Sequence, residues 1–234
     1  MTMDTTGPAG VDEAGKGAVF GPMVIAAVGC ADRDLLDRIG VRDSKSLTPR
    51  ARERIAPLLL EKTESAVVIL DAAEIDRQRH WWTMNICVAR GHAAAIRLIG
   101  AREAIADACD VNAARYAGIL HDLLDGECRI QAEHHADRHH PVVAAAGILA
   151  KVVRDAAIRD LAQVHGRIGS GYPSDTSTIR YLEEYMEVHR APPPFARSSW
   201  ATVRRIAGSL APSTDEGESP CGALLSPSPA HLFR

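Results

Sequence analysis

No stretch of the sequence is apolar for long enough to cross a bilayer. The longest such runs, residues 22–30 and 141–150, fall well short of the roughly 20 residues a spanning helix needs, and both read as buried core. Residues 1–10 have neither a basic start nor an apolar stretch, so no secretory signal is expected. Cysteine is scarce: Cys30, Cys87, Cys109, Cys128 and Cys221 are odd in number, scattered and without a CxxC pair. That excludes a disulfide framework and a cysteine-rich zinc site, and it fits a reducing cytoplasm. An excess of positive charge is missing as well. Lys and Arg number 27 against 30 Asp and Glu, a formal charge of -3, so bulk charge does not advertise a nucleic-acid binder and only a local basic face stays open. No internal repeat is visible.

What is present is the composition of an ordinary globular protein, 234 residues with 46% hydrophobic and 24% charged, enough for one large domain with a real core. Residues 19–29 form a continuous apolar run rich in Val and Ile, the pattern of a strand covered on both faces. Further strands are expected at 65–71 and, shorter, at 10–13, 102–107 and 127–132. Helices are expected at 48–61, with Thr48 as N-cap and Pro49 at the first helical position, and at 84–99, 112–124, 140–164, 178–188 and 198–208. In the helix from 140 the first half should be deeply buried and the second half should surface. The chain is thus α/β, strands early and helices late, with a catalytic domain over residues 1–210 whose part from about 166 is helical. Residues 211–234, biased to Pro, Ser and Gly, read as a disordered tail.

Gly10-Val-Asp-Glu-Ala-Gly-Lys-Gly17 nearly matches the phosphate loop GxxxxGK[ST], with Gly10, Gly15 and Lys16 in register. Gly17 stands where the metal-binding hydroxyl should be, and Asp12 and Glu13 would repel the phosphate. Alternatively, Asp12 and Glu13 at a strand end are ligands for a hard divalent cation, with Gly15 and Gly17 allowing the bend that brings both acids to one ion. In isolation such a pair is an ordinary solvated turn. Asp107 and Asp137, each at an element junction, change the weighing: four carboxylates at element ends are the raw material of a two-metal centre for displacement at phosphorus.

The blocks AGVDEAGKGAVFGPMVIAAV, VRDSKSLTPRARE, HADRHHPVVAAAGILAKVVRD, GSGYPSD and RSSWATVRRIA, in this order over residues 9–208, resemble the signature blocks of ribonuclease HII, closest to its archaeal form. The resemblance implies a ribonuclease H-like fold, a central mixed five-stranded sheet flanked by helices with a helical C-terminal part. It implies a monomeric, metal-dependent endonuclease, using Mn²⁺ or Mg²⁺, that cuts the RNA strand of RNA–DNA hybrids. Duplex DNA would be nicked 5′ to an embedded ribonucleotide, leaving 3′-hydroxyl and 5′-phosphate ends. The family's four acids fall on Asp12, Glu13, Asp107 and Asp137. Its Gly-Arg-Gly element becomes Gly15-Lys16-Gly17, whose backbone can still meet a sugar 2′-hydroxyl but whose lysine lacks the arginine fork. Tyr172 matches the tyrosine that packs on the next sugar, and Lys45 a phosphate contact. The resemblance leaves ribonuclease HIII, a junction nuclease or a non-catalytic hybrid-binding protein as alternatives. The terminal HLFR keeps too little of a sliding-clamp peptide for clamp binding to be expected.

Other residues receive plainer readings. Arg197, Arg204 and Arg205 are expected on a wet face that could extend a phosphate track. His134, His135, His139 and His140 are read as phosphate-facing or as neighbours of the metal ligands rather than as a zinc site. Trp81 and Trp82 are read as packing residues. Asp215, Glu216 and Glu218 lie in the tail against Arg234. Without these and the four candidate ligands the remaining body is mildly basic.

Overall fold

The computed structural model describes residues 7–42, 47–210 and 232–233. Its strands are β1 (Ala9–Ala14), β2 (Met23–Gly29), β3 (Glu64–Leu70), β4 (Glu103–Asp107), β5 (Arg129–Glu133) and the two-residue β6 (Leu232–Phe233). The helices are α1 (Arg33–Ile39), α2 (Pro49–Lys62), α3 (Ala72–Arg79), α4 (Met84–Leu98), α5 (Ala113–Leu123), α6 (Pro141–His165), α7 (Thr176–His189) and α8 (Ala201–Leu210), with a 3₁₀ turn at Ala136–Arg138. The sheet order is β5-β4-β1-β2-β3, with β6 on the outer edge of β3. β1 pairs antiparallel with β2 and parallel with β4, and β5 joins β4 in parallel, which makes the sheet mixed. This is the expected five-stranded sheet, extended by a two-residue strand within the segment read as a disordered tail. Residues 211–231 of that segment lie outside the described residues.

Both faces of the sheet are covered, as the unbroken burial of β2 requires. On one face α6 packs with α1 and α2 around Val24, Ala26, Val28, Leu36, Leu59 and residues 142–150. On the other face Val11, Met23 and Ile25 meet α3, α4 and α5 through Ile75, Val88, Ile96, Tyr116 and Leu120. A third cluster joins Val19 and Phe20 to α7 and α8. Buried residues 142–150 and exposed positions beyond bear out the division expected within the helix from 140. Thr48 accepts from the Ala51 amide at 3.2 Å, the expected cap of α2.

β2 starts at Met23 rather than at residue 19. Gly21 turns the chain through φ +74, and the amides of Val19 and Phe20 donate instead to the Gly171 carbonyl at 2.7 and 3.1 Å. Trp81, read as packing, is 72% exposed, whereas Trp82 lies under the Arg90 guanidinium at 4.0 Å. Among the described residues no helix is long and apolar enough to cross a membrane.

Candidate active site

β1 is the middle strand of the sheet, so a side chain at its C-terminal end can meet groups from several elements. Alternation along the strand sends Asp12 toward α6, on the side of Gly10 and Ala14, and Glu13 toward α4, on the side of Val11. Asp12 is buried and accepts the Glu13 amide on Oδ1 at 2.7 Å. Asp107 ends the parallel neighbour β4, where its Oδ1 accepts the Ala136 amide at 3.0 Å. That amide opens the 3₁₀ turn carrying Asp137, which is buried between β5 and α6.

The four acids are brought to one cavity of about 380 Å³, together with Gly15, Lys16, Gly17 and Tyr172. Lys45 lies outside the described residues. Their proximity is felt electrostatically. The Asp12 carboxyl is held well above the ordinary 3.8, first by burial, then by the charges of Glu13 and Asp107, with a smaller push from Asp137. A concentration of oxygen donors and negative charge fits a hard divalent cation such as Mg²⁺ or Mn²⁺. Among the described residues no three His, Cys, Asp or Glu side chains stand close enough together to hold one metal ion, so the four acids line the cavity without forming a coordination shell.

Further cations share the cavity, and one of them is paired: Lys151 Nζ donates to Asp155 at 2.7 Å. Arg52 and Lys151 line the same cavity, and neither was singled out from sequence. Lys151 lies one helical step of four residues after Gly147 on α6, and both line the cavity. Lys16 is held within the fold. Its Nζ donates to the Asn85 side chain at 2.9 Å and to the Cys109 carbonyl at 2.8 Å, so this lysine ties the loop to α4 and to the end of β4. Asn85 in turn donates to Asp110, whose acid is lowered to about 2 by the Asn112 amide and Arg115. Gly15, at φ +86, has the Pro22 carbonyl 2.7 Å from where a Cβ would sit, so only glycine suits that turn.

Arg197 corrects the wet-face reading. It is fully buried, donating through Nε and Nη2 to the Gly21 carbonyl and through Nη1 to the Lys16 carbonyl at 3.0 Å, and so braces the glycine loop from behind. Burial and the charge of Arg154 push its pKa down to about 9. Arg154, also buried, donates to the Ser170 carbonyl and carries the Tyr172 ring 4.5 Å from its guanidinium. Arg204 and Arg205 are exposed, as expected. His134, His135 and His139 are exposed, and His140 bonds Glu133 at 3.1 Å. None of the four lines the cavity, so they do not join the acids there, and the exposed three face solvent beside the turn that carries Asp137.

The family model for ribonuclease HII matches residues 9–203. A ribonuclease HII of Methanoregula boonei is 53% identical over 197 residues, covering 84% of this chain and 92% of its own. In three dimensions the chain resembles the ribonuclease H2 of Pyrococcus horikoshii OT3, with TM-score 0.80 and 38% identity over 86% of this chain and 97% of that one. It resembles equally the ribonuclease HII of Archaeoglobus fulgidus solved in complex with PCNA, with TM-score 0.79 and 36% identity over 86% and 96%. The family model runs from β1 into α8, and the relative and the solved structures each cover more than four fifths of this chain: the chain belongs to the ribonuclease HII family of endoribonucleases.

Proposed function

We propose that the protein hydrolyses the RNA strand of RNA–DNA hybrids and nicks duplex DNA 5′ to embedded ribonucleotides, leaving 3′-hydroxyl and 5′-phosphate ends. Its place would be ribonucleotide removal in the cytoplasm. The observation that carries this reading is that four carboxylates, the glycine loop and Tyr172 share one cavity. Asp12, Glu13, Asp107 and Asp137 would hold two divalent cations, Mg²⁺ or Mn²⁺. When bound, such ions acidify water and offset charge developing on the phosphate.

The chain's own residues supply position. Lys16 and Arg197 fix the loop so that its backbone presents unchanging groups to the sugar edge, where the 2′-hydroxyl separates RNA from DNA. Tyr172, held over Arg154, offers an apolar ring face to the adjoining sugar. Arg52 and Lys151 bring positive charge to the rim for the phosphate backbone.

The direct test is a DNA duplex holding one ribonucleotide, incubated with protein and Mn²⁺ or Mg²⁺. One cut 5′ to the ribonucleotide is expected, and none in excess EDTA. A protein that leaves this duplex whole while cutting another phosphodiester overturns the reading.

Gly17 gives a second test. It is exposed, and among the described residues no atom lies within 4 Å of where its Cβ would stand, so the fold has no need of glycine there. Gly17→Ala should leave Tm unchanged or slightly raised. It should nonetheless slow nicking at a single ribonucleotide about tenfold, on the scale of one impaired hydrogen bond. Wild-type nicking rates in this variant would show that the loop backbone does not approach the sugar.

A further inference from the structure

Glu13 is awkwardly placed for a ligand. Strand alternation turns it away from Asp12 and toward the apolar α4 layer, where an unsupported carboxylate would be costly to bury. What it meets there is His92, fully buried on the face of α4 that also carries Val88, Ala89, Ala93 and Ile96. His92 Nε2 lies 3.0 Å from Glu13 Oε2, and its Nδ1 lies 3.0 Å from the hydroxyl of Tyr116 on α5, itself fully buried. The two rings meet edge to face at 5.9 Å and 81°.

We propose that His92 and Tyr116 form a buried positioning relay that fixes the Glu13 carboxylate for metal binding. The relay rests on the reading of Glu13 as a metal ligand. An ionised carboxylate only accepts hydrogen bonds, so Nε2 carries the proton toward Glu13. On the other side of the ring Nδ1 meets the Tyr116 hydroxyl, which can donate to it. Burial, reinforced by Cys109 and Glu13, holds the Tyr116 pKa well above 10, so the hydroxyl keeps its proton. Each member thereby sets the orientation of the next, from α5 through α4 to β1. A ligand carboxylate held in this way needs no reordering when the cation arrives, and hydrogen-bond partners of ligands commonly contribute about ten- to a hundredfold in metal affinity.

The experiment measures Mn²⁺ binding calorimetrically to the full chain without nucleic acid, alongside Tm and the kcat and KM for a hybrid. His92→Phe fills similar space without a donor and should weaken Mn²⁺ about ten- to a hundredfold, lowering kcat at limiting metal while leaving KM for the hybrid unchanged. His92→Gln, which restores an N–H near the Nε2 position, should recover most of the affinity. Tyr116→Phe, which removes one oxygen, should weaken Mn²⁺ about threefold and serves if His92→Phe does not fold. Wild-type Mn²⁺ affinity in folded His92→Phe, or in Tyr116→Phe, overturns the relay. Asp137→Asn is the control. If it loses Mn²⁺ while both relay variants keep it, the relay alone falls. If it too binds Mn²⁺ as the wild type does, the metal reading of the cavity falls and takes the relay with it.

Discussion

Asp137→Asn should retain hybrid binding, measured in Ca²⁺ or EDTA, and lose turnover by about a thousandfold, equivalent to about 4 kcal/mol of transition-state stabilisation. The substitution keeps the shape of a buried side chain on the 3₁₀ turn and removes one unit of the negative charge that would hold a cation. In the proposed function Arg52 and Lys151, which also line the cavity, would supply phosphate contacts, so affinity for the duplex should not follow activity down. The same change also relieves repulsion, because Asp137 is one of the three charges that raise the Asp12 pKa. Metal-free protein should therefore melt at the wild-type temperature or above it, as when a functional site stores unfavourable charge. Equal cleavage by variant and wild type would remove Asp137 from the catalytic set. A large fall in Tm would show that its role is structural.

Gly10→Ala should have the largest effect on stability. Gly10 lies on β1 with α6 crossing directly above it, and an added Cβ would overlap the backbone of Val142 and Val143. Backbone cannot rotate aside as a flexible side chain can, so helix and strand would have to separate. Overpacking of this kind costs about 3 kcal/mol or more, which for a chain of this size lowers Tm by about 10 °C. Activity should fall as well, since the strand carries Asp12 and Glu13 and the 3₁₀ turn before α6 carries Asp137. An alanine variant with unchanged Tm and activity would mean that the contact is looser than the structure places it.

Gly10 also shows where sequence reading is limited. Its spacing from Gly15 and Lys16 invited a phosphate-loop comparison, yet residues 10–14 are strand and the glycine is there for helix packing, a partner over 130 positions away. Local signals survived translation into structure: Thr48 capping α2, the all-apolar β2, the junction positions of Asp107 and Asp137. Long-range ones did not. Nothing beside Lys16 announces Asn85 or the Cys109 carbonyl, and nothing in the RSSW block announces that Arg197 faces inward rather than toward solvent. His92 was hidden in an alanine-rich helix because its two partners belong to other elements. The short helices α1 and α3 were passed over even though Asp32 and Asp71 accept from the Leu35 and Glu74 amides as N-caps, a cue legible in the sequence.

The brace formed by Arg197 has a bearing on the order of synthesis. The carbonyl it holds belongs to Lys16, 181 residues earlier in the chain. Chains fold from the N-terminus as they emerge, so β1, with Asp12 and Glu13, and β2 can pair long before that arginine exists. The glycine loop gains the hydrogen bond from Arg197 only when the C-terminal part has been made and docked. The loop thus reaches its final geometry only after Arg197 and the elements that carry it have been made, rather than as β1 and β2 first pair.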